Sequence, residues 1–399
     1  MARHHTFFDR LFDLKPKAFA LSEAVLGHYP RTRLLSGFFP DFGWPDASRV
    51  RVFEDRRWRH ALNGPAYDAV RPLVCDRNVD VLNPLDTACE AGFSRTMIVE
   101  IAGVVVPGHT LTAVDAASGS QISLGQQGKA RWSFAYPGPI ALKRIAVGQP
   151  CLAIPPIRHY GHLMTDVLMP ICEAIRIGAI TDREELVVFT GDHPPLVSSF
   201  IDGMRATGLR VRRMPLAPTE HVVTDRYLYA RSHSPNIEQI FGVPEACATA
   251  LSLFQAAYRS KPATAASRRV YLKRKGHRQR VVAGEDALVA RLEQAGFSVL
   301  EPDWTNHADQ ISACAGADVI AAVHGAALAN VLFCKPGATV IELMATDGRK
   351  STGLHWSAAV GARYVPVFGG KEGSRQSFAI DPEETARAII AAADGLQPR

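Results

Sequence analysis

The sequence predicts an α/β protein in which two Rossmann-like βα domains follow a β-rich N-terminal segment. Three observations carry this expectation. Buried-strand patterns alternate with helical ones from about residue 151. The rhythm stops at a small, polar stretch and then restarts. Before residue 150 the chain shows short strand patterns separated by Gly, Ser and Pro.

Taken in order, residues 1–95 hold aromatic and proline clusters, Phe38-Phe39-Pro40 and Phe42-Gly43-Trp44-Pro45, which read as loops packed on a larger body. Strand patterns follow at 97–101, 104–106, 121–124 and 130–134. Residues 1–150 are therefore expected to be an irregular, β-rich extension of the first lobe. The first βα domain, 151–260, shows helices at 161–180, 196–207 and 244–259, with strands at 186–190, 209–214 and 227–230. Residues 261–267, following Ser260, carry a proline among small and polar residues and read as a linker. The second domain, 268–375, has strands at 269–273, 297–300, 317–323, 339–343 and 364–367. Its helices fall at 285–295, 308–315, 326–333 and 353–360, the first closed by Gly296. Within 376–399, a last helix at 382–393 has Asp381 as its N-cap. It is expected to pack back on the first domain. Two such domains make a cleft.

Composition bounds the function. With 47% hydrophobic and 21% charged residues, the 399-residue chain can bury sizeable cores, which excludes global disorder. No run of about 18 apolar residues exists to span a membrane. Residues 1–14 mix charges with phenylalanines and lack the apolar core of a signal peptide. The seven cysteines are scattered with no CxxC pair, which argues against a zinc site and a disulfide framework and for a reducing cytoplasm. Net charge is +6, and seven of the thirteen residues from Arg268 to Arg280 are Lys or Arg, with no acid among them. Anionic partners are expected.

Four segments could carry chemistry. At 317–330 an apolar strand runs into His324-Gly325-Ala326-Ala327 and then a helix. Small residues there let a ligand reach the backbone amides of the first helical turn, a site suited to a diphosphate. The same turn could serve packing alone. Glu342, near the end of the strand at 339–343, would face the crevice and could accept hydrogen bonds from ribose hydroxyls, or simply be solvated. Arg274 and its neighbours, at the end of the domain's first strand, could pair with a pyrophosphate. They could also form a solvated basic loop, or contact nucleic acid, although Tyr271 is the run's one aromatic residue. His162 and Asp166 sit four apart on a helical face and could act as a general base, or as a capping histidine beside a surface aspartate. Asp-x-Asp, a divalent-cation clamp of many sugar-nucleotide enzymes, is absent from the chain.

Together these pieces resemble glycosyltransferase family 61. That family includes bacterial capsular-polysaccharide-type transferases, plant β-1,2-xylosyltransferases and animal O-linked N-acetylglucosamine transferases. The resemblance rests on His-Gly-Ala-Ala-Leu-Ala-Asn at 324–330, then Phe333, Pro336-Gly337 and Ile341-Glu342-Leu343. Upstream, His159-Tyr160-Gly161-His162 with Asp166 and Pro170, the strand 269–274 with Arg280, and Gly296-Phe297 and Gln310 fall in the family's order. Gly284-Glu285 stands where many members have Asn-Glu, and Lys273-Arg274 where they have Ser-Arg. The resemblance covers about 150–345.

It implies an inverting, metal-independent enzyme of the GT-B type, with no cofactor. A nucleoside-diphosphate sugar, UDP-linked, would be the donor substrate, and a glycan or lipid-linked polysaccharide the acceptor, in surface-polysaccharide synthesis. The donor would be held by Arg274, Arg280, His324, Gly325, Ala326, Ala327, Asn330 and Glu342. His162 and Asp166 would supply the base, Asp166 ahead by analogy with transferases that use a carboxylate. The expected location is cytoplasmic, with peripheral contact to an anionic membrane, and no nucleic acid is bound. The alternative in another class is a basic, non-catalytic binder of nucleic acid or another anionic polymer through 268–280. A second enzyme alternative is a GT-B relative such as an epimerase.

Overall fold

A computed structural model describes residues 42–43, 46–59, 93–108, 110–117, 121–122, 143–233, 244–260, 267–274, 281–347 and 352–395. The strand expected at 130–134, most of the linker and Arg280 lie outside the described residues. Along the chain come β1 (Phe42–Gly43), β2 (Val50–Arg59), β3 (Phe93–Ile101), β4 (Val104–Pro107), β5 (Val114–Asp115), β6 (Gln121–Ile122), β7 (Lys143–Val147) and β8 (Cys151–Ile154). The helix α1 (Tyr160–His162), a π segment (Leu163–Leu168) and α2 (Met169–Arg176) follow in one run. Then come β9 (Leu186–Thr190), α3 (Pro195–Ala206), β10 (Val211–Pro215), β11 (Glu220–Thr224), β12 (Tyr227–His233) and α4 (Pro244–Ala257). The second half holds β13 (Arg269–Leu272), β14 (Val282–Ala283), α5 (Glu285–Gln294), β15 (Ser298–Leu300), α6 (His307–Gly316) and β16 (Val319–Val323). It continues with a 3₁₀ helix (Ala326–Phe333), β17 (Thr339–Met344), α7 (Thr352–Ala359), β18 (Arg363–Phe368), β19 (Phe378–Ala379) and α8 (Pro382–Ala393).

The fold is mixed α/β. The chain's second half forms a five-stranded, all-parallel sheet ordered β15-β13-β16-β17-β18. Numbered by appearance, that is the doubly wound order 2-1-3-4-5. A six-stranded sheet ordered β10-β9-β8-β12-β3-β2 has four parallel strands, then β3 antiparallel to β12, and β2 antiparallel to β3 at the edge. Another six-stranded sheet, β1-β6-β5-β4-β11-β7, lies beside it. Leu186 and Val340 thus stand in separate sheets.

Side-chain alternation assigns each face. Leu152, Ile154 and Val188 from one sheet, and Val270, Leu272, Ile320 and Val340 from the other, point into a single apolar core shared with helices α2, α3 and α4. The odd-numbered partners diverge. Cys151, Ala153, Val187 and Phe189 face the strands of the N-terminal sheet. Tyr271, Val319, Ala321 and Ile341 face α5 and α8.

Strand pairing crosses residue 150, because β3 binds β12 along its length, Tyr227↔Ile101 through His233↔Arg95. The first parallel sheet is therefore covered by strands, not helices, on one face. One expectation changes here, the packing of the last helix. It packs on its own sheet: Ala386, Ile389 and Ala392 join Leu288, Leu292 and Val365 in one cluster. Arg363 donates to the Ala392 carbonyl, and Arg269 pairs with Asp394 at 2.6 Å. Its apolar stripe matches the sheet face it follows in sequence, so no apolar face remains to reach the first domain.

Candidate active site

Doubly wound sheets bind ligands outside the carboxyl ends of their strands, where the strand order reverses. In the five-stranded sheet that point lies between β13 and β16, whose ends carry Arg274 and His324. In the six-stranded sheet it lies between β8 and β12, and β8 leads into Arg158 and α1. The 3₁₀ helix after His324 packs against α1, so the two switch points meet.

On the first side, His162 Nδ1 lies 2.8 Å from Asp166 Oδ2. The Thr165 hydroxyl stands 2.6 Å from Asp166 Oδ1 and 2.9 Å from the Gly161 carbonyl; its single proton serves one at a time. His159 caps α1, its Nδ1 accepting from the His162 amide at 3.4 Å. The π segment carries Asp166, and Met169 N–H reaches back to the Met164 carbonyl. Pro170 explains the widening: it has no N–H for the Asp166 carbonyl, and its ring crowds it. With Asp166 a carboxylate, the hydrogen of this contact sits on His162 Nδ1. Asp166 thus takes the His162 ring at one oxygen and the Thr165 hydroxyl at the other.

On the second side, His324 Nδ1 donates to Glu342 Oε1 at 2.5 Å, and Tyr364 donates to Oε2 at 2.6 Å. Glu342 is 0% exposed. This differs from the expected ribose contact. Glu342 is an even-numbered residue of β17, so it turns toward the shared core, where one oxygen holds His324 and the other takes the Tyr364 hydroxyl. Burial and the neighbouring carboxylate push the Tyr364 phenol well above its ordinary pKa. Gly325 has φ 154° and ψ −171°, a region that only glycine occupies without strain. The first amides of the 3₁₀ helix, at Ala326 and Ala327, lack carbonyl partners within it by position. An α-helix was expected there. Instead Asn330 Nδ2 takes the Ala327 carbonyl at 2.9 Å, a local bond that favours the tighter turn. Asn330 is fully buried and also binds Gln310 Oε1 at 3.0 Å and the Tyr160 hydroxyl at 2.6 Å, so it braces the turn rather than facing a ligand.

Of the basic run, residues 268–274 are described, and three of their four cations pair with acids. Arg268 pairs with Asp318, Arg269 with Asp394, and Lys273 with Asp286 at 2.8 Å. Arg274 is partly buried, and its charge faces Glu285. Burial holds the Glu285 carboxyl above its ordinary pKa, against the opposing pull of the Tyr271 hydroxyl at 2.9 Å, Lys273 and Arg274. Sequence patterning pointed to neither Tyr364 nor His307, and to Tyr160 only as part of the family segment, because their partners are remote in the chain. Among the described residues, no three His, Cys, Asp or Glu side chains cluster as metal ligands do, and no helix is long and apolar enough to cross a membrane.

A His/Asp pair at one switch point and a glycine-alanine turn beside an arginine at the other are the equipment of a group-transfer enzyme. Comparison with known families makes the class a glycosyltransferase. The model described as Glycosyltransferase 61 matches residues 160–341, from the first residue of α1 into β17, so this stretch is similar to that family. That family implies a nucleotide-sugar donor and an acceptor. No curated protein matches the chain.

Proposed function

We propose that the protein is an inverting, metal-independent glycosyltransferase of the GT-B type. It moves a sugar from a UDP-linked donor to a glycan or lipid-linked polysaccharide acceptor in surface-polysaccharide synthesis, on the cytoplasmic side. The observation that carries this reading is the meeting of the two switch points, with the His162–Asp166 pair on one and Arg274 and the His324 turn on the other.

The acceptor hydroxyl attacks the anomeric carbon as its proton passes to the hydrogen-bonded His162–Asp166 pair. The bond from that carbon to the diphosphate breaks on the opposite face. The leaving charge meets Arg274 and the amides of Ala326 and Ala327, with His324 kept in orientation by Glu342. Arg280, on the same basic segment, adds a second cation. Compensation of Arg268, Arg269 and Lys273 by acids weighs against the polymer-binding alternative, which needs the run uncompensated.

The test is UDP binding together with turnover of a panel of UDP-sugars. Arg274→Ala should weaken UDP by about 1.5–3 kcal/mol. Asp166→Asn and His162→Ala should bind UDP normally, with at least one losing about 100-fold in rate. Unchanged UDP affinity in the double variant Arg274→Ala/Gly325→Val sinks the donor site. Parent-like turnover in both base variants sinks the base.

A further inference from the structure

We propose that the chain of hydrogen bonds Tyr258–His307–Tyr160–Asn330 is a positioning device for the transfer reaction. It sets the helix that carries His162 against the turn that follows His324, and so governs turnover without touching either substrate. This rests on the assignment of the two switch points made above.

The direction of every bond follows from the partners. Gln310 gives both amide hydrogens away, to the Asp303 carbonyl at 2.6 Å and to Asn306 Oδ1 at 2.7 Å, so its Oε1 is the acceptor toward Asn330. Asn330 Nδ2 is then spent on Gln310 and the Ala327 carbonyl, which turns Oδ1 to the Tyr160 hydroxyl. A flipped amide would set an acceptor against two acceptors. Tyr160 gives its proton to Asn330 at 2.6 Å, so the 3.1 Å contact with His307 requires a hydrogen on His307 Nε2. The neutral ring then has its lone pair on Nδ1, where the Tyr258 hydroxyl donates at 3.1 Å. All donors point one way, from the end of α4, through the start of α6, to α1 and the 3₁₀ helix.

The surroundings make this chain stiff. His307 is 3% exposed, and its ring lies edge-on to Phe254 at 4.8 Å and to Phe333 at 6.1 Å. Trp304 stands edge-on to Tyr160 at 5.8 Å. The apolar packing around His307 raises the cost of breaking its link to Tyr160. Its placement gives it leverage. Tyr160 opens α1 two residues before His162, and Asn330 lies on the helix that begins at the Gly325 turn. The bond between them joins residues 170 apart in sequence. Reacting groups misplaced by about 1 Å can lose on the order of 100-fold in rate.

Two substitutions at one position separate positioning from packing. The side-chain nitrogen of His307→Gln falls where Nε2 stood and keeps the link to Tyr160. The oxygen of His307→Asn falls where Nδ1 stood, keeps Tyr258 and loses Tyr160. Each is compared with Tyr160→Phe, Tyr258→Phe and the parent. The readouts are UDP binding by calorimetry, kcat for the UDP-sugar panel at saturating donor, and amide exchange over residues 160–168. The expected result is UDP affinity within about twofold of the parent throughout, kcat retained in His307→Gln and Tyr258→Phe, and a loss of about tenfold or more in His307→Asn and Tyr160→Phe. Exchange over 160–168 should quicken in the latter two alone. Equal kcat and equal exchange in the Gln and Asn variants, or a Tyr160→Phe enzyme that turns over like the parent, overturns the proposal. Asp166→Asn and His162→Ala in the same assay tell the failures apart. If those two remain fully active, the functional reading fails. If they lose rate while Tyr160→Phe does not, the positioning role alone fails.

Discussion

Adding one methyl group at Gly353 should unseat Glu342, and with it His324. Gly353 lies on α7, and a Cβ built there falls 2.2 Å from Glu342 Oε2, 2.8 Å from its Cδ and 2.7 Å from Leu328 Cδ2. The first distance is more than about 1 Å inside ordinary contact. A flexible carboxylate would swing away at little cost. This one is fully buried, bonded to Tyr364 at 2.6 Å through the clashing oxygen and to His324 at 2.5 Å through the other. Helix propensity alone makes Gly→Ala stabilising by up to about 1 kcal/mol. Overpacking costs about 1–3 kcal/mol. Parting the carboxylate from one donor adds about 1.5–3 kcal/mol. The clash wins, and Gly353→Ala should lose about 2–4 kcal/mol. Urea unfolding reads this as a lower midpoint at unchanged slope. The methyl should also be tolerated better once Glu342→Ala has emptied the space, so the double variant should be less damaged than the two single losses imply. A Gly353→Ala protein as stable as the parent, or more so, refutes the close approach and the anchored state of Glu342.

Gly325→Val should destabilise the turn and abolish UDP binding, since φ 154° and ψ −171° are barred to a β-branched residue; calorimetry with UDP checks it. Ile389→Ala, at a fully buried position between α8 and the five-stranded sheet, should cost about 2–5 kcal/mol in chemical unfolding. A protein unaffected by it would deny the packing of the last helix. His193 adds a pH dependence. Burial and the Arg213 charge, together with Arg158 and against Asp192, lower its pKa to about 4 from an ordinary 6.5. The unfolded chain therefore binds more protons between those values, so this histidine's contribution to stability is present above about 6.5 and falls as pH drops toward 4. Subtracting the His193→Asn profile from that of the parent should leave that slope and no other.

Local pattern made much of the second parallel sheet legible. Val319–Val323 and Thr339–Met344 are apolar runs bounded by turn residues, and such runs are buried on both faces wherever they end up. The last helix was equally legible, because its cap is local: Asp381 Oδ1 accepts from the Glu383 and Glu384 amides. The glycine-alanine turn and the four-residue spacing of His162 and Asp166 could be read for the same reason, since each depends on neighbours within one turn of chain. Where α8 packs, that β3 joins β12, and that the first sheet is covered by strands were decided by which apolar face was left to cover, and no periodicity carries that information. The role of Glu342 was decided the same way. Its strand says that it faces one of two sides, but Tyr364 and Gly353, from later elements, fill that side and hold the carboxylate inward. Asn330 likewise reads as a site residue in its motif and becomes a brace only through Tyr160, 170 residues away, because a buried amide takes whatever partners the fold brings within reach.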